Sequence, residues 1–99
     1  MKSNYTRFGK NLLVSGTIFD YVALDTVNDS VLRVNFRPSF RSQLPAEITI
    51  TTSLNFVVSV VGCSHVAISE QEFWQHYDKA ISALALVNPQ ELFEEDYVQ

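Results

Sequence analysis

The chain has 99 residues, 46% of them hydrophobic and 18% charged, with a formal net charge of −4. That length fits one domain, 1–99, with a small core, and the single cysteine, Cys63, excludes an internal disulfide and suits a reducing compartment. Net acidity argues against broad nucleic-acid binding through phosphates, no apolar run reaches the about 18 residues of a membrane span, and the first residues lack the apolar segment of a secretory signal, so the expected location is the cytoplasm.

Residues 1–9 are polar apart from the anchors Tyr5 and Phe8 and are expected to fray, as are residues 94–99. In residues 10–24, Leu12, Val14, Gly16, Ile18, Val22 and Leu24 share one face, and Leu13, Phe19, Tyr21 and Ala23 the other. This predicts a long strand, bent or bulged at Gly16. Residues 25–30 are a turn by composition, since Asp25, Thr26, Asn28, Asp29 and Ser30 can bond their own backbone. Residues 31–37 alternate, with Leu32, Val34 and Phe36 on one face and Arg33, Asn35 and Arg37 on the other. That is a half-buried strand with one wet face, stopped by Pro38. A loop runs from there to Pro45, and residues 46–52 give another alternating strand, with Ile48 and Ile50 inward and Glu47, Thr49 and Thr51 outward.

The run 54–61 is the most apolar of the chain. Leu54, Phe56, Val58 and Val60 alternate on one side, and Val57 and Val61 make the other side partly apolar as well. β-Branched residues on both faces predict a central strand, covered on both sides and ending near Gly62. Residues 64–67 either extend this run or connect it to the next element.

The strongest local signal follows. Ser69 with Glu72 has capping-box spacing, Ile68 and Phe73 have hydrophobic-staple spacing, and Glu70 and Glu72 suit the positive end of a helix. Phe73, Tyr77, Ala80, Ile81 and Leu84 then recur at helical spacing, and Asn88-Pro89 ends the pattern. This predicts a helix over 69–87. Pro89 can open a short terminal helix carrying Leu92 and Phe93. The sum is an α+β domain: a four-stranded antiparallel meander, with a fifth strand allowed, and one C-terminal helix packed on one face.

No stretch carries a motif that identifies a family or a reaction. Cys63 and His65 share a strand face, yet an orienting group and an oxyanion site are missing from the pattern. His65, His76, Cys63 and Asp78 have no zinc-like spacing, so neither metal nor cofactor is expected. Charge is unevenly placed. Residues 1–45 carry six bases against three acids, and residues 70–99 one base against seven acids. Arg37 and Arg41 flank Phe40 in a loop that could grip an anion with Arg33; the plainer reading is a solvated loop. The acidic tail, with Phe93, Glu94, Glu95 and Tyr97, suits either a basic groove on a partner or packing on its own sheet. Trp74 borders the helix stripe, as core rim or interface.

The reading that follows is a small non-enzymatic interaction protein, a regulator, inhibitor, adaptor or immunity-type binder. Its expected contacts are Arg33, Arg37, Phe40, Arg41, Trp74, Phe93, Glu94, Glu95 and Tyr97. A protein partner is expected, and a homodimer or higher oligomer fits a sheet with more apolar surface than one helix covers. The alternative is a binding module for an anionic small ligand or nucleotide, held by Arg33, Arg37 and Arg41.

Overall fold

The computed structural model describes residues 4–36 and 43–87. Its elements are β1 (Arg7–Leu12), β2 (Ile18–Asp25), β3 (Ser30–Asn35), β4 (Glu47–Thr51), α1 (Ser53–Ser59), β5 (Ser64–Ala67) and α2 (Glu70–Ala85). The strands form one antiparallel sheet in the order β4-β3-β2-β1-β5. This is the expected α+β class, with the fifth strand present.

Residues 10–24 are two strands, not one. The Leu13 N–H donates to the Thr17 carbonyl at 2.8 Å, and Gly16 takes φ 88°, a left-handed conformation open to glycine without strain. The chain therefore reverses where a bend was expected, and Arg7 to Gly9, expected to fray, pair with Leu24 to Val22. A register shift near Asn11 leaves Phe19 as an extra residue in β2. The next turn is held by Asp25, whose Oδ1 accepts from the Val27 and Asn28 N–H groups, each at 3.0 Å.

The larger correction concerns residues 54–61. They form α1 and its exit turn, not a central strand. Thr52 caps the helix, its hydroxyl accepting from the Asn55 N–H at 3.4 Å, and Gly62 leaves the exit turn at φ 89°. The reason is topological. β4 lies at one edge of the sheet and β5 at the other, with three strands between them. At about 4.8 Å per strand, the chain must cross nearly 20 Å over a sheet face, which an in-plane strand cannot do. A helical crossover does it, and β-branched propensity gives way to that demand.

The middle strand is β2, and its two faces build two cores. Tyr21 and Ala23, with Leu32 and Val34 of β3, meet Phe73 and Ala80 of α2. Val22, with Val31 of β3, meets Phe56 of α1. The face of β3 expected to be wet is thus roofed by α1. Phe73 is wholly buried, and a side chain of that size contributes about 1.5–3 kcal/mol by leaving water. Tyr5 and Phe8 anchor the N-terminal segment as expected, through edge contacts to Trp74 at 6.0 and 6.1 Å.

α2 begins where the cap spacing put it: the Ser69 hydroxyl accepts from the Glu72 N–H at 3.0 Å. Its stripe buries Phe73 and Ala80, while Ile81 stays 45% exposed. On β4, Ile48 packs on the core, but Ile50, expected inward, is 68% exposed, because β4 is an edge strand and the single helix on that face does not cover it. The proposed terminal helix lies outside the described residues.

Candidate interaction surface

α1 is inverted relative to an ordinary surface helix. Phe56 and Val60, one turn apart, point at the sheet. On the other side of α1, Leu54, Val57 and Val58, at i, i+3 and i+4, are 71%, 58% and 66% exposed, and Val61, 80% exposed, follows in the exit turn. No charged side chain interrupts α1. Scattered exposed aliphatics are ordinary, whereas a contiguous stripe on one helix face is the usual mark of a contact surface.

A polar chain holds this helix in place. His65 on β5 pairs through Nδ1 with Asn11 Oδ1 on β1 at 2.9 Å, the amide oxygen accepting. Asn11 Nδ2 donates to Asp20 Oδ1 on β2 at 2.7 Å. Arg33 on β3 donates through Nε to Asp20 Oδ2 at 2.8 Å, and its Nη2 donates to the same oxygen. Its Nη1 donates to Ser59 Oγ at the end of α1, also at 2.8 Å. The guanidinium lies 5.7 Å from the Phe19 ring centroid and 5.6 Å from that of Phe56. The extra residue in β2 explains the first contact: it brings Phe19 round to the face that carries Asp20. At the other end of α1, the Ser53 N–H donates to Asp29 Oδ1 at 3.3 Å. Asn11 and Asp20 are each 1% exposed, and among the described residues no buried side-chain nitrogen or oxygen lacks a partner. α1 is therefore tied to the sheet at one end and to the β2–β3 turn at the other before any partner arrives, which lowers the ordering cost of binding.

The expected site residues separate. Arg33 belongs to this chain, under α1, with its donors engaged inside the fold. Trp74 lies on the opposite face, among Phe73, Tyr77, Tyr5 and Phe8, and donates from Nε1 to Glu70 Oε2 at 3.2 Å. Arg37, Phe40, Arg41, Phe93, Glu94, Glu95 and Tyr97 lie outside the described residues. His65 turns to Asn11, and Cys63 is a free, half-buried thiol just before β5. Among the described residues no cluster of His, Cys, Asp and Glu could hold a metal, and no helix is long and apolar enough to cross a membrane.

A second feature sits on the α2 side. A cavity of about 310 Å³ is lined by Thr17, Ile18, Tyr21, Phe36, His76 and Lys79 among others. The His76 imidazole stacks on Tyr21 with centroids 3.9 Å apart, and Lys79 lies over Phe36 at 5.2 Å. Burial pushes the His76 pKa below the ordinary imidazole value; Glu72 opposes this, and Lys79 and Lys10 add to it. Burial, helped by Glu72, raises the Tyr21 phenol. Both shifts keep these rings neutral at neutral pH, as a stacked pair between helix and sheet requires.

Sequence reasoning missed the α1 stripe and the polar chain. The stripe's i, i+3, i+4, i+7 spacing was present but overlaid by strand-like alternation. Asp20, a lone acid inside the apolar run 18–24, was the available signal for the buried pair. Comparison with known proteins finds no match among family models, curated proteins or solved structures.

Proposed function

We propose that this chain is a small non-enzymatic interaction protein, a regulator, inhibitor, adaptor or immunity-type binder acting in the cytoplasm, and that the outer stripe of α1 is its principal contact. The observation that carries the reading is the four exposed aliphatic side chains of Leu54, Val57 and Val58 on α1 and Val61 in its exit turn, on a helix held at both ends. The partner this stripe fits is a protein with an uncharged apolar groove that seats a short helix. The net charge of −4 favours a basic rim around that groove. A lipid surface suits it poorly, because α1 has seven residues and no base to meet headgroups. The acidic tail residues Phe93, Glu94, Glu95 and Tyr97 remain proposed as a second, separate contact. The anion-binding alternative is weaker, since Arg33 would have to leave Asp20 and Ser59 to serve it.

The test is affinity capture from the native host with two baits, the wild-type chain and Leu54→Glu/Val58→Lys. The double substitution puts charges at two of the four positions, yet it creates a Glu–Lys pair at i, i+4 that suits the helix, and it leaves net charge unchanged. A stoichiometric partner on the first bait and its loss on the second, with equal melting temperatures, is the expected result. Equal recovery on both baits would overturn the assignment of the stripe. A rise in melting temperature with nucleotides, reversed by Arg37→Ala/Arg41→Ala, would favour the anion-binding alternative.

A further inference from the structure

Among the described residues, the outer edge of β4 is open. Of the described strands only β3 lies beside it, so alternate residues of β4 direct their N–H and C=O groups away from the sheet. Proteins guard such edges with lysine, proline, a bulge or an inward charge. β4 has no lysine, proline or bulge, and its one charge, Glu47, stands at its first residue, clear of the middle of the strand. Its register with β3 runs unshifted from Asn35 opposite Glu47 to Val31 opposite Thr51, and its middle reads Ile48-Thr49-Ile50. Ile50 is 68% exposed on the α2 side of the sheet. The other edge, β5, is a residue shorter, and its His65 ring folds back over Gly9 towards Asn11.

We propose that β4 pairs antiparallel with β4 of a second copy of this chain, about a two-fold axis through Thr49. This register alone matches all five residues of β4 with all five of the partner. Ile48 sits opposite Ile50 of the partner subunit, and Ile50 opposite the partner's Ile48. Thr49 faces Thr49 of the partner subunit, and Glu47 faces the partner's Thr51. No like charges oppose each other, and the β-branched pairs suit adjoining strands. The two sheets of five strands become one of ten. The axis is normal to the sheet, so both α2 helices lie on one face and both α1 helices on the other. The dimer therefore presents two α1 stripes on the same side, a bivalent form of the surface proposed above. The pairing itself uses no α1 residue, so it stands or fails separately from that surface.

The test is the mass of the full chain by sedimentation across a concentration series, for wild type, Thr49→Lys, Thr49→Glu, their equimolar mixture and Leu54→Glu/Val58→Lys. Thr49 is exposed, so its substitution leaves the monomer fold intact, as circular dichroism will register. Wild type and the α1 variant are expected at twice the chain mass of 11.2 kDa. Each Thr49 variant is expected at the single chain mass, since like charges then meet on the axis, and the mixture is expected to regain the dimer. Ile50→Lys is a second disrupting variant, should a Thr49 variant fail to fold. A wild type that stays monomeric, Thr49 variants that stay dimeric, a mixture that stays monomeric, or a dimer lost on the α1 variant would each overturn the proposal.

Discussion

Replacing Asp20 by Asn probes what holds α1 to the sheet. The substitution is isosteric, so it opens no cavity and isolates the charge. The Asp20 carboxylate accepts from Arg33 through both Nε and Nη2 and from Asn11 Nδ2, and its side chain is wholly buried. An amide in its place leaves the guanidinium without a counter-charge and offers it one acceptor oxygen that Asn11 also claims. Removing one partner of a buried pair costs about 3–5 kcal/mol. The Arg33 side chain is 16% exposed, so water relieves part of its loss, and the lower end, about 3 kcal/mol, is the expected cost. In a domain this small each kcal/mol moves the midpoint by about 4–8 °C, so the melting temperature should fall by roughly 12–24 °C. Urea unfolding with an unchanged slope is the assay, because the slope reports whether the transition is still two-state. Adding Arg33→Met to Asp20→Asn should return most of the loss, since the orphaned charge is then gone while Asn11 keeps an acceptor. A loss under about 1 kcal/mol in the single variant, or no recovery in the double, would refute the idea that this pair pins the helix.

Gly9→Ala should destabilise by about 1–3 kcal/mol, because an added Cβ overlaps the His65 ring and comes within 3.1 Å of the Val66 carbonyl. Combining it with His65→Ala should recover part of that cost in chemical denaturation, and full additivity of the two would contradict the contact. Ser69→Ala should cost about 1 kcal/mol in the same assay, through the lost cap on the Glu72 N–H. The His76 pKa is lowered by folding, so the unfolded chain binds the proton more readily. Stability should therefore hold at neutral pH and decline as pH falls through about 6.5, the unfolded imidazole value, until the folded pKa is passed. Melting temperatures from pH 8 to 5 should show this decline, flattened in His76→Gln; a decline of the same size in that variant would assign it to other groups.

The elements that local chemistry determines could be read directly from the chain. α2 carries its own start signal in Ser69 and Glu72 and its own stripe, and β3 shows clean alternation from Leu32 to Val34. What could not be read depends on distant parts of the fold. Residues 54–61 satisfy the strand period and the helix period at once, because nearly every position is apolar; the choice between them is made by where β5 pairs. The Ser15-Gly16 reversal was masked by Leu13 and Val14, which continue the alternation of the strand before it. Arg33 looks like a free cation on a wet face until α1 is known to lie over it, and the same error hid the outward stripe.

Amide deuterium uptake, compared between the free chain and the captured complex, addresses the contact surface itself. Slowed exchange in the peptide spanning residues 52–62, with little change across α2, is the predicted pattern. Unchanged exchange there, with protection appearing instead around His76 and Lys79, would contradict it and move the contact to the opposite face of the sheet.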